Sequence, residues 1–578
     1  MPTTLSRQGK SKKPSKFARF FYDKNCCRRT IPIIATPELW VENDYDDLGQ
    51  LKAKEVGAKT QKIDYSYNIR GWLTEINKVA ALQQVNDPKD LFAFKINYNT
   101  ISSGIAGVGA LYNGNIAETH WATSTDNVVR TYGYRYDALN RLHEALYKKG
   151  TVVSNAYNEK LSYDANGNIK TLTRFGSLSD TTPVVIDELT YAYKTAASNQ
   201  LMKVTDTKAN NASFINEFKD SATNGVDDYA YDANGNMTKD NNKNITAITY
   251  NHLNLPIQIT FGSTGNISYI YNATGQKVQK VVVEPGKTTI TTDYLGGYQY
   301  SNTALKFFPT AEGYVEPVGS SYKYVYQYKD HLGNVRLSYD KTLAVQEENS
   351  YYPFGLKHAG YGAPIVSTND ALKFKYNGKE WQDENIGGSQ LNMYDYGARN
   401  YDPALGRWMN IDPLAEQMRR HSPYNYCFNN PIRFTDPDGM APFGDYFDRL
   451  GNYMGSDKIK DKKIYIVNSS KSPINTVETN AFNPPTNFYE KDGSVNREVG
   501  QKNSTSIAKL SLESRTQAAE GILNHYYNEA GYNLNELKAK TITDNPENGL
   551  ALTRFGGVTP NSSHLKPGEK DISVTYVS

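Results

Sequence analysis

Three Asp-Pro dipeptides, Asp402-Pro403, Asp412-Pro413 and Asp436-Pro437, punctuate one stretch of the chain, with Asp438, Arg399 and Arg407 close by. Paired carboxylates can do acid–base work. Held close together they cannot both ionise easily, so one keeps a proton while the other activates water. An arginine beside them can hold a carboxylate through a bidentate pair. If the target is the same chain, attack is intramolecular and even a slow pair suffices for its single turnover. The same residues also have a structural use, because Asp-Pro starts turns and all three dipeptides suit turn caps. Spacing alone favours the caps.

A second set of ionisable residues, Glu520, His525, Glu529 and His564, lies near the C-terminus. Glu520 and His525 are five apart, whereas a metal-binding helix sets its ligands four apart on one face. There is no His-Glu-Xaa-Xaa-His, no zinc-type cysteine pair and no phosphate-cradling glycine loop, so neither metal nor cofactor is implied. A lone histidine is usually structural. Glu520, His525 and His564 stay as candidates for whatever chemistry that stretch performs, and Gly556-Gly557 reads as a turn. Cys26, Cys27 and Cys427 do not make a disulfide framework. The Cys-Cys-Arg-Arg cluster at 26–29 could carry a metal or lipid. A disordered tail, or the ragged start of a longer coding sequence, explains it better.

The elements that must position these groups are announced by a repeat. Tyr231-Asp232-Ala233-Asn234-Gly235-Asn236-Met237 is nearly duplicated by Tyr163-Asp164-Ala165-Asn166-Gly167-Asn168-Ile169. Degenerate copies start at Tyr136, Tyr250 and Tyr271, and Tyr67 and Tyr328 extend the series on both sides. Starts are separated by 27 residues from Tyr136 to Tyr163, 19 from Tyr231 to Tyr250 and 21 from Tyr250 to Tyr271. Recurrence at such a period signals a repeat architecture. Each copy opens with aromatic alternation that suits a strand. Asp then caps its own backbone, Asn-Gly supplies the positive φ angles of a tight turn, and a second strand follows. One repeat is one β-hairpin, with Asn166-Gly167 and Asn234-Gly235 at tips. A lone hairpin is marginal in water, so the hairpins must stack.

Composition agrees. The 578 residues include 45 Tyr against 20 Phe. Tyr packs its ring and keeps its hydroxyl hydrated or bonded, as a large sheet with one wet face requires. Net charge is +3, but residues 1–35 alone carry nine Lys/Arg and one Asp. No basic surface for nucleic acid is evident outside that tail. The tail has no apolar run resembling a signal peptide, and no stretch of 18 apolar residues occurs that could form a membrane span.

The repeats resemble the YD repeats of Rhs proteins and of the C components of insecticidal toxin complexes, over roughly residues 65–440. The match sharpens after Tyr351-Tyr352-Pro353-Phe354-Gly355. It runs through Lys375-Tyr376-Asn377-Gly378-Lys379-Glu380, Tyr394-Asp395-Tyr396-Gly397-Ala398-Arg399, Gly406-Arg407-Trp408, Asp412-Pro413 and Asp436-Pro437-Asp438-Gly439-Met440. This segment is similar to the Rhs-associated core, with Trp408-Met409 and Leu414-Ala415 as mild departures. The resemblance implies a curved or hollow shell around a toxic C-terminal segment. It also implies self-cleavage at Met440–Ala441 by Asp412 and Asp436 with Arg399 nearby. Asp438 and Arg407 are the rivals for those places.

The expected fold is therefore mainly β: stacked hairpins forming a shell, a core, and a small C-terminal α+β domain. Residues 1–40 read as a basic, disordered tail, 41–372 as the repeat wall, 373–440 as the core and 441–578 as a variable effector. Irregular inserts are expected at 101–127 and 196–228, and a short helix at 88–92. In the last domain Lys463–Val467 reads as a strand and Thr505–Glu529 as a helix, since Ile507, Leu510, Ala518, Ile522 and Leu523 make an apolar stripe closed by Gly531. The implied partners are the chain's own C-terminal domain as cargo, a cognate immunity protein and a secretion apparatus, in a secreted or cell-surface setting. Two other readings stand beside this toxin: a wall-associated protein whose Tyr-rich sheet binds carbohydrate without cleavage, and a truncated, inactive remnant.

Overall fold

The computed structural model describes residues 41–440, apart from 47–49, 85–86, 209, 212, 215–216, 222–225, 361–368 and 418–420. In 441–578 it describes only short strands. The chain divides into two compact units, Met1–Met440 and Ala441–Ser578.

In the first unit the wall is two antiparallel meanders in which every strand pairs with the next in sequence. Twelve described strands from Val41–Tyr45 to Leu201–Asp206 make one sheet, and thirteen from Tyr229–Tyr231 to Val345–Glu348 make the other. Neither sheet closes on itself.

The Tyr-Asp motif builds each hairpin in one way. In the copy at 163, Asp164 Oδ1 accepts the backbone N–H groups of Asn166 (2.8 Å) and Asn168 (2.9 Å), and Gly167 N–H donates to Asp164 O. Asp232 repeats this with Asn234 and Asn236. The tip is thus a five-residue loop, and positive φ falls on Gly167 (+84°) and Gly235 (+80°) but not on the preceding Asn. This corrects the expectation that both Asn and Gly turn left-handed. In the degenerate copies Asn140 and Asn254 take the glycine's place at φ 63° and 58°, as a short side chain that bonds locally can. An unforeseen member is Asp340, which caps Thr342 and Ala344 with Leu343 at φ 64°.

The repeat tyrosines tie hairpin to hairpin. Tyr136, Tyr163, Tyr193, Tyr250 and Tyr271 donate their hydroxyls to the carbonyls of Ile116, Leu142, Ile169, Met237 and Pro256. Four of these acceptors, all but Ile116, open the strand after an earlier turn or lie within one residue of its start. Each ring packs on the shared core while its hydroxyl satisfies a backbone acceptor, which for all but Ile116 lies beside a bulge.

Two expectations fail locally. Residues 88–91 form no helix and Phe92 starts the strand Phe92–Asn97, because Leu82 O and Gln61 Oε1 claim the Asp90 and Leu91 N–H groups. The insert at 101–127 contains the strand Glu118–Thr123, and the one at 196–228 contains Leu201–Asp206. All six residues of Glu118–Thr123 are buried, so the polar alternation that marks a half-exposed strand is missing.

The core segment is a four-stranded sheet (Glu380–Gln382, Met393–Asp395, Asn400–Asp402, Arg407–Trp408) with turns around it. It shares one continuous apolar cluster with both wall sheets. Fully buried Arg174 of the wall donates to Glu159 and Asp187 and to the carbonyls of Pro403 and Ala404 in the core. Residues 407–430 then run along the row of repeat turns. Asn430 bonds the carbonyl of Asn140, Asn429 that of Gly167, Arg407 that of Asn199, Tyr424 that of Gly235 and Asn410 that of Asn254.

In the second unit, Phe443–Phe447, Tyr453–Ser456, Lys460–Val467 and Ser504–Thr505 form a four-stranded sheet in which the first and third pair in parallel. The strand read at 463–467 is present. Thr505, the first residue of the expected helix, pairs with Ile466 instead. The rest of that helix, with Glu520, His525 and His564, lies outside the described residues, as does the tail 1–40.

Candidate functional site

Arg399 sits in the turn between the strands Met393–Asp395 and Asn400–Asp402 and is 2% exposed. Trp408, paired across the sheet with Tyr401, lays its ring under the guanidinium at 4.1 Å. That support aims the fork. Nη2 donates to Asp412 Oδ2 (2.8 Å) and to Asp436 Oδ2 (3.2 Å), so these oxygens cannot lie more than about 6 Å apart. Nη1 donates to Pro423 O (3.3 Å) and Nε to Gly439 O (2.5 Å).

The three Asp-Pro residues serve both readings. Each caps its own turn through Oδ1: Asp402 for Ala404, Asp412 for Leu414 and Asp436 for Gly439. They part company at the second oxygen. Asp412 and Asp436 turn Oδ2 to Arg399, whereas Asp402 turns it to Lys243 at 3.2 Å. Of the rivals, Arg407 bonds Tyr193 and Asn199 and lies over the Tyr424 ring, where it clamps the wall. Asp438 holds the Met440 N–H through Oδ1 (3.1 Å) and the Ala398 N–H through its carbonyl (3.0 Å).

One cation faces two buried carboxylates. Burial pushes the Asp436 carboxyl up to about 6; Arg399 opposes this, and the charges of Asp438 and Asp412 add to it. A proton held by one member of such a pair is the arrangement that acid–base chemistry needs. The adjacent Cys427 thiol is raised well above its usual range by burial and by Asp436, so it stays an inert thiol.

Gly439 has φ +80°, and a Cβ there would come within 2.9 Å of Arg399 N. The loop therefore needs glycine to lie this close. Lys379 Nζ holds the loop from the other side through Pro437 O. Residues up to Met440 are thus fixed against Arg399, while Ala441 lies outside the described residues. Sequence reasoning missed Pro423 and underrated Trp408. A backbone acceptor has no side-chain signature, and Gly-Arg-Trp read as packing. Among the described residues no group of three or more His, Cys, Asp or Glu is placed to hold a metal ion, and no helix is long and apolar enough to cross a membrane.

No family model matches the chain. It is 36% identical over 138 residues to toxin subunit YenC2 of Yersinia entomophaga, covering 24% of this chain and 13% of that protein. It is 26% identical over 253 residues to toxin subunit YenC1 of the same organism, covering 42% and 24%. The crystal structure of TcdB2-TccC3 without its hypervariable C-terminal region has a similar fold, with a TM-score of 0.51 at 19% identity. That match covers 70% of this chain and 19% of the solved one. The chain therefore spans less than a quarter of the length of each. The fold shared with that solved structure is a shell-like wall of antiparallel hairpins.

Proposed function

Because this chain is a YD-repeat protein related to the C components of insecticidal toxin complexes, we propose that it carries a C-terminal effector and frees it by cutting the Met440–Ala441 bond. One observation carries the reading: Asp412 and Asp436 share a single nitrogen of Arg399, which also holds the carbonyl of Gly439, one residue before the bond.

Asp412, the closer partner of the cation, takes a proton from water. Asp436 holds its proton against the Met440 carbonyl. Water oxygen adds to that carbon while Asp436 passes its proton to the carbonyl oxygen; the C–N bond then breaks as the leaving nitrogen of Ala441 takes the proton that Asp412 drew from water, and Asp436 recovers its proton from the new hydroxyl. The products are a Met440 carboxylic acid and an Ala441 amine, which become carboxylate and ammonium by passing one proton between them, so one water is consumed and the pair is restored.

The intact chain should give two bands on a denaturing gel, 1–440 and 441–578, with the smaller beginning at Ala441 by mass spectrometry. Asp412→Asn and Asp436→Asn should each leave one band, since each removes a titrating group at nearly constant size. Cutting at the same bond in both variants would overturn the assignment. The related toxin subunits favour a secreted or cell-surface setting, and a cognate immunity protein is proposed as the effector's partner. The chemistry of 441–578 is assigned to no residue.

A further inference from the structure

We infer that the repeat turn 232–236 positions the aspartate pair, acting on Asp412 and Arg399 through Tyr424. This rests on the self-cleavage reading above.

Among the described residues, side chains of 407–430 bond five carbonyls in the row of turns, and one of these bonds reaches the pair by a short path. Tyr424 Oη donates to Gly235 O at 2.7 Å, a buried bond. The residue before it, Pro423, offers one carbonyl to the Asp412 N–H (3.0 Å) and to Arg399 Nη1 (3.3 Å). Tyr424's own carbonyl accepts the Trp408 N–H (3.1 Å), and the Trp408 ring carries Arg399. The turn also touches the other flank of Asp412: a Cβ on Gly235 would meet Ile411 Cδ1 at 2.3 Å and Tyr424 Oη at 2.9 Å. One tyrosine fixed on the wall thus sets the carbonyl that orients one acid and the arginine. The aspartates reach their geometry only when the turn lies in register beneath them, so cutting reports a completed wall. Tyr424 and Gly235 are positioning residues; neither touches the reacting atoms.

Tyr424→Phe removes only the hydroxyl. The first readout is the single-turnover rate of cutting, which should fall by about tenfold, since small misplacements of reacting groups are costly. The second is its pH profile: if Arg399 drifts from Asp436, that proton is held more tightly, and the fall of rate at high pH should move upward. The third does not need cutting. In the uncut Asp436→Asn chain, adding Tyr424→Phe should speed hydrogen exchange at the Asp412 and Leu414 amides by about tenfold. Tyr163→Phe deletes a like bond, to Leu142 O, on a different hairpin, and should change rate and exchange by less than about twofold. Unchanged exchange in the Tyr424 variant would overturn the inference, as would equal slowing by Tyr163→Phe. If the parent chain never cuts, self-cleavage fails, and the exchange arm still supports or refutes the hold of the turn on Asp412.

Discussion

At Arg399 a single positive charge faces two buried carboxylates. Burial pushes the Asp436 carboxyl up to about 6, and in the proposed mechanism this is the group that carries the proton. The acid form is populated below that value and lost above it. Cutting should therefore be nearly flat just below about pH 6 and fall about tenfold per unit above it. Time courses on denaturing gels from pH 5 to 9 check this, and a rate that climbs through pH 6 would place the proton on another group. Arg399→Ala should slow cutting roughly a hundredfold, because both carboxylates lose a charged partner. Arg399→Lys should recover little, since a point charge cannot serve two acids and two carbonyls at once. At this scale the sequence was ambiguous for a physical reason. A carboxylate has two oxygens, so Asp412 and Asp436 cap turns and face Arg399 together, while Asp402 caps a turn and faces Lys243. Only the resemblance to Rhs cores separated them. The Pro423 carbonyl and the Trp408 ring were invisible, because their value lies in where the chain brings them.

The hairpin was the most legible element. Asp at the start of the turn and Gly at its fourth position each have a local physical task, so the motif could be read without neighbours. What went astray was the geometry of the tip. Five residues, with one left-handed angle, replace a tighter turn with two. A substitution series tests that account where packing does not interfere. Gly333 has φ +78° and open space around its missing Cβ. Gly333→Asn should cost less than about 0.5 kcal/mol and Gly333→Val about 1–2 kcal/mol, because Asn tolerates the left-handed region and a β-branched residue does not. Thermal melts compare the two, and equal losses would refute the assigned backbone role. The unforeseen turn at Asp340 shows the limit of such reading: Leu343 stands where Gly or Asn was looked for, and only the Asp cap was available as a signal. The buried strand Glu118–Thr123 was missed because a strand covered on both faces has no alternation to display.

Across the whole molecule, the division at Met440 assigns wall and core to one unit and 441–578 to the other. Residues 441–578 made alone in a bacterial cytoplasm should arrest growth, and normal growth of cells holding the soluble fragment would count against an effector. Nothing in the sequence marks its target, since Glu520, His525 and His564 form no recognisable constellation. The wall, by contrast, carries its own direction. The clasps made by the repeat tyrosines Tyr136, Tyr163, Tyr193, Tyr250 and Tyr271 each reach backward along the chain, to a carbonyl made earlier. A hairpin leaving the ribosome can close its own tip with its Asx cap. The acceptor beyond that tip stays in water until the next repeat is synthesised and its tyrosine arrives. In the order of synthesis, the tyrosine of a later hairpin is the group that covers the carbonyl opening an earlier strand, as Tyr163 does for Leu142 and Tyr271 for Pro256. Within the first unit the last part to emerge is the segment that rests on the row of tips and carries the aspartates, so the blade is fitted only after the scabbard has been sewn.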